Sequence, residues 1–174
     1  ISATAGRRIR INCGPGATSE MKPLQLTDWT KTPERFFREL PMDWTDGLRA
    51  AWPDIAGESR ILVCSDNHGF TCGGIVSRAI FPDMGPYEDR ARDLYNRQYW
   101  YIGYLYVHAK HRSEGLGTRW MEAIRTEVPA RGFWLVIEKI GLLKFYARSG
   151  FHVDRILRIG GEREWLLIVG REDW

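Results

Sequence analysis

The most regular pattern of apolar and polar positions in the chain lies between residues 99 and 128. Tyr101–Val107 is mostly aromatic or β-branched, which predicts a half-buried strand. From Leu116 to Val128, apolar side chains recur every four residues and charged side chains occupy the opposite side, which predicts an amphipathic helix. A short basic loop with Gly115 and Gly117 joins the two. The centre of the chain is therefore predicted to be a strand, a glycine-containing loop and a helix.

Upstream of this region the pattern predicts a strand and two short helices. Arg7–Cys13 alternates charged and apolar side chains, as a first strand does. Thr32 has the properties of a helix N-cap because proline and glutamate follow it. This helix is predicted to run to Leu40, with Phe36, Phe37 and Leu40 facing inward and Pro41 ending it. A second helix is predicted from Thr45 to Trp52, with Pro53 closing it.

The next segment predicts a hairpin followed by a long connection. Arg60–Ser65 and Phe70–Ile80 are predicted to be antiparallel strands joined by a tight turn. Within the second strand, Gly73–Gly74 indicates a bulge or a close backbone approach. Residues 81–97 contain two prolines and many charges, which predicts a loop with a helical turn near Tyr87–Asn96.

Downstream of the central helix the pattern predicts three more strands and one helix. The strand–helix–strand order from Tyr101–Val107 to Phe133–Glu138 predicts a parallel pair joined by a right-handed crossover. A helix follows at Leu142–Ser149, and Phe151–Ile159 with Arg163–Val169 is predicted to form a closing hairpin around two glycines. The predicted order is therefore β, α, α, β, β, β, α, β, α, β, β.

The composition limits the class of protein. The 174 residues fit one domain spanning residues 1–174, and the 44% of hydrophobic residues suffice for a core. The net charge of +3 is mild, which argues against a nucleic-acid-binding protein. No apolar run approaches about eighteen residues and no secretory signal opens the chain, so no membrane association is predicted. The chain starts at Ile1 rather than at a methionine, so we expect a few residues to precede it.

The cysteines and histidines indicate neither a disulfide framework nor a metal site. Cys13, Cys64 and Cys72 are odd in number and widely spaced. Cys64 and Cys72 fall on neighbouring predicted strands, where small reduced thiols pack into a core. The four histidines lack the spacing of metal ligands, so no metal is predicted. Together these features predict a cytoplasmic protein.

The loop before the central helix has the features of an anion site. The first N–H groups of a helix have no intrahelical acceptor, and the helix dipole favours negative charge there. Lys110, His111 and Arg112 add positive charge at the same place. The predicted ligand is a phosphate or pyrophosphate, although two glycines in such a turn are also consistent with tight packing alone. The loop matches neither a Rossmann fingerprint nor a P-loop.

Two motifs together indicate a family. Arg112-x-x-Gly115-x-Gly117, placed between the predicted strand and helix, resembles motif A of the GNAT superfamily of acyl-coenzyme A N-acetyltransferases. Lys144–Phe151, KFYARSGF, is similar to the F-Y-x-x-x-G-F segment of that family. The resemblance covers about residues 60–169. It implies the GNAT fold, an α/β (α+β) domain with a mixed, mostly antiparallel sheet of about seven strands, a splayed parallel pair formed by strands 4 and 5, and about four flanking helices.

The resemblance also implies a site for acetyl-coenzyme A between the splayed strands. The backbone around Leu105 would pair with the pantetheine arm as an added strand does, and the loop amides would hold the pyrophosphate with the Arg112 side chain as a charge partner. Lys139 stands where the family often has an asparagine, and it either meets a phosphate or is a surface lysine. The cofactor-binding residues implied in this way are Leu105, Tyr106, Val107, Arg112, Ser113, Glu114, Gly115, Leu116, Gly117, Thr118, Lys139 and Phe145.

The implied reaction is direct transfer of an acetyl group to a primary amine in a ternary complex. Tyr146 matches the family tyrosine that acts as general acid toward the leaving thiolate, and the alternative is a tyrosine that only packs in the core. Many family members carry a glutamate on the central strand at the position of Tyr101, so a general base must come from elsewhere. Glu138 and His108 are the candidates, and a water chain or an already neutral amine is the alternative.

The acceptor is predicted to be an amine of a small molecule or of a protein. The aromatic residues of 99–106 are consistent with an acceptor groove and equally with core packing. Acidic side chains in the segments that line the acceptor side of the family would favour a cationic substrate, or would simply be solvated; they are Asp43, Asp46, Asp83, Glu88 and Asp89. Because Tyr101 replaces the glutamate, a non-catalytic acyl-coenzyme A-binding module is the alternative function. Both a monomer and a homodimer are compatible with the sequence.

Overall fold

The computed structural model describes residues 24–173, apart from the side chain at position 83, so the predicted strand Arg7–Cys13 lies outside it. The described residues contain a seven-stranded sheet with the order β1-β2-β3-β4-β5-β7-β6. Neighbouring strands are antiparallel except for the parallel pair β4 and β5. The strands are β1 (Thr27–Asp28), β2 (Ser59–Asp66), β3 (Gly69–Ser77), β4 (Tyr99–Val107), β5 (Gly132–Ile137), β6 (His152–Ile159) and β7 (Glu162–Gly170).

Five α-helices flank the sheet within residues 24–173, which confirms the predicted fold class. Most predicted ends of helices and strands shift by three residues or fewer, and the helical turn predicted after the hairpin is a full helix. The helices are α1 (Pro33–Phe37), α2 (Met42–Ile55), α3 (Glu88–Asn96), α4 (Leu116–Glu127) and α5 (Leu143–Ala147).

The predicted end of the second helix is wrong. Helix α2 continues through Pro53 to Ile55, although proline lacks the N–H that a helix uses. The Ala56 amide still bonds to the Trp52 carbonyl, and Ile55 is only 1% exposed. Burial of Ile55 therefore outweighs the loss of one hydrogen bond near the end of the helix.

The short strand β1 falls in residues 17–31, for which the sequence pattern predicts no element. Its two residues pair with the second strand, Thr27 with Val63 and Asp28 with Leu62. Two residues carry no periodicity of their own, so the contact with β2 alone defines this strand.

The sheet separates two hydrophobic clusters, and we name its faces after the longest helix on each. The α2 face is covered by α1, α2 and α3, and its buried side chains include Phe36, Phe37, Leu48, Trp52, Ile61, Leu94, Trp134 and Leu166. The α4 face is covered by α4 and α5, and its buried side chains include Leu62, Cys64, Cys72, Trp120, Met121, Ile124, Phe133 and Leu167. Cys64 and Cys72 are opposed on neighbouring strands, buried and unbridged, as predicted for small core residues.

The parallel strands β4 and β5 separate after three residue pairs. The last pair joins Tyr101 to Trp134, whose ring centroids lie 4.8 Å apart. Beyond it β4 continues to Val107 and β5 to Ile137 without pairing to each other. The divergence confirms the predicted splay and opens a gap in the middle of the sheet. No helix in residues 24–173 is long and apolar enough to cross a membrane.

Candidate active site

The start of α4 is built to receive an anion. Gly115 precedes the helix with φ of +73°, a left-handed conformation that glycine adopts without strain. No side chain caps the helix N-terminus, and its first turn contains no acidic residue. The first-turn N–H groups therefore remain available to a negatively charged ligand.

Gly117 brings the two sequence motifs together in space. A Cβ atom at this position would lie 2.9 Å from Cζ of Phe145 and 3.7 Å from Cγ2 of Val107. Only glycine allows the start of α4 to lie this close to α5 while also contacting the end of β4. Three of the residues that the resemblance assigns to the cofactor, Val107, Gly117 and Phe145, therefore lie together in the structure.

The basic loop residues point in different directions. Arg112 is exposed, its Nε donates to the Val107 carbonyl at 3.4 Å, and its guanidinium lies 5.9 Å from the Tyr106 ring centroid. His111 Nδ1 lies 3.4 Å from Glu114 Oε2, and its Nε2 lies 3.9 Å from Asp66 Oδ2. Arg112 therefore lies beside the end of β4.

A bulge in β4 decides which side chains face which helices. Tyr104 and Leu105 together lie opposite the single residue Gly74 of β3, and Tyr104 has φ of +55°. As a result Leu105 packs on the α4 face, whereas Tyr104 and Tyr106 both pack on the α2 face. A Cβ at Gly74 would lie 3.2 Å from the Leu105 Cα, so the predicted bulge and close approach at Gly73–Gly74 are confirmed.

Tyr146 lies on the α4 face with Leu105 and Val107. Its half-buried ring meets Phe145 at 4.8 Å and Phe151 at 5.7 Å between centroids. Burial raises the pKa of Tyr146 to about 12, so the phenol keeps its proton at neutral pH. No described group forms a hydrogen bond with its hydroxyl, which leaves that proton available to a ligand.

The other predicted catalytic residues lie at the ends of the two diverging strands. Glu138 is exposed directly after β5, and the exposed Lys139 follows it. His108 follows β4, its amide donates to the Thr71 carbonyl at 2.9 Å, and its Nδ1 accepts from the Lys110 amide at 3.4 Å. Neither Glu138 nor His108 hydrogen-bonds Tyr146. In residues 24–173 no group of three or more histidine, cysteine or acidic side chains is arranged to hold a metal ion.

The α2 face contributes an aromatic residue that the sequence did not single out. The Trp44 ring in the first turn of α2 lies 6.1 Å from the Tyr104 ring and 6.4 Å from the Tyr106 ring, nearly perpendicular to both. Asp43 and Asp46 are exposed on either side of it in the sequence. Trp44 is separated from β4 by more than fifty positions of sequence, so no local pattern could have found this cluster. Among the other acidic residues, Glu88 forms an ion pair with Arg92.

The sequence profile of the acetyltransferase (GNAT) family matches residues 24–151. The chain therefore belongs to the GNAT family of acetyltransferases, as its two motifs predicted. No curated protein sequence matches it at a significant level.

Solved structures with the same fold are distant in sequence. A protein from Desulfovibrio desulfuricans assigned to the GNAT family superposes with a TM-score of 0.62 at 9% identity, covering 85% of this chain and 99% of that one. An aminoglycoside 6'-N-acetyltransferase complexed with coenzyme A gives 0.61 at 11% identity, covering 85% and 97%. An aminoglycoside 6'-acetyltransferase type Ii gives 0.57 at 14% identity, covering 85% and 97%. These similarities establish the fold.

Proposed function

We propose that this protein transfers an acetyl group from acetyl-coenzyme A to a primary amine by direct attack in a ternary complex. The observation that carries the proposal is the gap between β4 and β5. The hydrophobic cluster on the α4 face of these strands includes α4, whose N-terminus is uncapped, and Tyr146, whose hydroxyl has no hydrogen-bond partner among the described residues. Binding of a diphosphate requires available amides such as those at the start of α4. A reaction that expels a thiolate requires a proton donor such as the phenol of Tyr146.

The residues present fit coenzyme A in charge and shape. The helix start offers amides from Leu116 to Thr118 and no competing carboxylate in its first turn. Arg112 directly follows the turn Ala109–His111. By a change of rotamer its guanidinium would add a charge-assisted hydrogen bond to the diphosphate. After Tyr101 the strand β4 no longer pairs with β5, and along that side its backbone would bind an extended pantetheine arm as a strand edge does. The thioester supplies the activated acetyl group.

Tyr146 is proposed to protonate the departing sulfur. Its raised pKa keeps it protonated, so it donates rather than repels a developing thiolate. Phe145 and Phe151 both pack nearly perpendicular to its ring, which restricts the orientation of the ring. Glu138 and His108 are proposed as alternative acceptors of the amine proton, because each directly follows one of the two diverging strands.

A binding module without catalysis is the second candidate, and Tyr101 is the observation that favours it. This residue stands where many relatives have a glutamate, and its ring packs on Phe81 at 5.2 Å and on Trp134 at 4.8 Å. An aromatic side chain that packs in the core therefore occupies the position where those relatives have a base. The reduced thiols Cys64 and Cys72 are compatible with the cytoplasm as the site of either function.

Two measurements separate the candidates. Calorimetric titration with acetyl-coenzyme A should show saturable binding, and thiol release should be detected when a panel of primary amines is added. Binding without thiol release from any amine, including peptide amines, would favour the module. The absence of both binding and a shift in Tm would contradict both candidates.

A further inference from the structure

A cavity of about 340 Å³ lies outside the gap between β4 and β5 and is open to solvent. It is lined by residues 78–80, which follow β3, by the last turns of α3 and by Glu58. Sites for small molecules typically have volumes of about 300 to 1,000 Å³. The cavity is therefore large enough for a small ligand.

This cavity and the proposed diphosphate site lie at opposite ends of β4. Ser77 ends β3 and pairs with Tyr101 near the start of β4, and α3 leads into that start through residues 97 and 98. The loop that is proposed to bind the diphosphate follows Val107, the last residue of β4. The extended chain from Tyr101 to Val107 spans about 20 Å. The cavity therefore lies away from that loop.

One arginine in the cavity wall has a hydrogen-bond donor without an acceptor. The Arg78 guanidinium lies 4.5 Å from the centroid of the Tyr95 ring, which is a cation–π contact. Its Nε is buried, no described residue accepts a hydrogen bond from it, and the side chain forms no ion pair with any described group. A buried donor that has lost water without gaining a partner destabilises the folded protein. A ligand oxygen that this edge of the guanidinium reached by rotation of the side chain would supply the missing acceptor.

The other charges of the cavity favour a ligand with a single negative charge. Arg92 also lines the cavity, but Glu88 on the same helix already accepts hydrogen bonds from its guanidinium. The charge of Arg78, in contrast, is compensated by no described carboxylate. Glu58 is exposed and lines the cavity as well, so it would repel a dianion more strongly than a monoanion. A carboxylate carries one charge, and its two oxygens match the parallel N–H groups of an arginine.

We propose that this cavity binds the carboxylate of a small molecule through Arg78. The inference goes beyond the proposed function, since none of these residues is assigned to acetyl transfer. The carboxylate accepts from Nε and a terminal nitrogen of Arg78, whose guanidinium packs on Tyr95, and Asn96 lines the same cavity as a further donor. Ala79 and Ile80 are partly buried apolar residues of the wall, and the apolar part of the ligand contacts them. The ligand class is therefore a monocarboxylate with a small apolar group.

Pairs of probes that differ in charge test the recognised group. The probes are N-acetylleucine, 4-methylpentanoate and phenylacetate, each compared with its amide. In NMR titrations of 15N-labelled protein, at least one carboxylate should bind saturably, shift the amide signals of residues 78–80 and 92–96, and have a Kd about tenfold lower than that of its amide. Saturable binding of no carboxylate, or equal Kd values within every pair, would overturn the proposal. A lower Kd for inorganic phosphate than for every carboxylate would overturn the choice of a carboxylate.

Two variants test the role of Arg78. Arg78→Gln removes the charge and should raise the Kd of the bound carboxylate about tenfold. Arg78→Lys keeps a charge but lacks the planar pair of donors, so it should raise the Kd by a smaller factor. Arg35→Gln is the matched control, because the Arg35 guanidinium also lies over an aromatic ring, 4.2 Å from the Trp29 centroid, but does not line the cavity. An unchanged Kd in both Arg78 variants, or an equal rise in Arg35→Gln, would overturn the assignment.

Cofactor binding distinguishes this inference from the proposed function. The Kd of acetyl-coenzyme A should be the same with and without a saturating concentration of the carboxylate, and the same in Arg78→Gln as in wild type. Competition between the carboxylate and acetyl-coenzyme A would locate the carboxylate in the gap and overturn the separate site. A protein that binds the carboxylate through Arg78 but does not bind acetyl-coenzyme A would support this inference and contradict the proposed function.

Discussion

The two faces of the sheet at the gap use different parts of the chain. On the α4 face, the groups proposed to hold a ligand are mainly backbone amides of the short segment 105–118, which packs against α5 through Gly117 and Phe145. On the α2 face, an aromatic cluster consists of side chains from α2 and β4, far apart in the sequence. Backbone amides keep the same hydrogen-bonding groups whatever the side chains are, so they suit a ligand that does not vary. Side chains on the α2 face can be substituted without disturbing the helix start that is proposed to bind the cofactor.

The strand β4 serves both faces because of its bulge. Without the left-handed residue Tyr104, strict alternation from Tyr101 would place Tyr104 and Tyr106 on the α4 face. The bulge instead gives Leu105 and Val107 to the α4 face and two tyrosines to the α2 face. The comparison between the faces can therefore be tested by changes on one face that should leave the other unaltered.

The largest effect is expected for the chemistry on the α4 face. Tyr146→Phe removes the proposed proton donor but keeps the ring, so kcat should fall by about 10² with little change in either KM. Tyr95→Phe is the control, because Tyr95 lies at the end of α3 beneath Arg78. A Tyr146→Phe enzyme within twofold of wild-type kcat would remove the general-acid role.

A smaller effect is expected for cofactor affinity. Gly115→Ala imposes a side chain on a residue with φ of +73° and should distort the start of α4, raising the Kd of acetyl-coenzyme A by about tenfold. Gly160→Ala is matched in kind, since Gly160 has φ of +57° and, like Gly115, has no neighbour within 4 Å. Equal effects of the two substitutions on Kd would mean that the helix start does not bind the cofactor.

On the α2 face, the position of α3 is expected to depend on one ion pair. Arg90 contacts Asp154 through two bonds, Nε to Oδ2 at 2.9 Å and Nη2 to Oδ1 at 2.6 Å, and both side chains are largely buried. Asp154→Asn should lower the free energy of unfolding by about 1 kcal/mol in urea titrations, with the Kd of acetyl-coenzyme A unchanged. Glu88→Gln breaks the exposed pair with Arg92 and should have no measurable effect. A similar loss of unfolding free energy in Asp154→Asn and Glu88→Gln would contradict the expected difference between the buried and the exposed ion pair.

The smallest effect under ordinary conditions is expected from the ionisation of Tyr146, because its proton is lost only at high pH. The pKa of Tyr146 is raised to about 12 in the folded protein, against an ordinary value of 10.0, so the folded state holds this proton more tightly than the unfolded state. Its contribution to stability is complete below pH 10 and is lost as the pH rises toward 12. Ultraviolet difference titration of wild type against Tyr146→Phe should show the missing phenol ionising near pH 12. An ionisation at or below pH 10 would mean that the ring is more exposed than the structure has it.

The strongly periodic elements could be predicted from the sequence, and those fixed by contact could not. Helix α4 follows from its apolar spacing, and the order of the strands after it follows from their alternation. The two-residue β1 and the extension of α2 through Pro53 have no such signal, because burial of Ile55 and pairing with Val63 decide them.

The candidate site divides in the same way. The proposed cofactor loop could be located from the sequence by itself, because an anion site at a helix start needs only neighbouring residues with the right backbone freedom, Gly115 and Gly117 among them. Only the tertiary structure decided that Trp44 stands beside Tyr104 and that Phe145 closes over Gly117. Those contacts join distant segments, and their geometry depends on how the whole sheet splays and bulges rather than on any local preference.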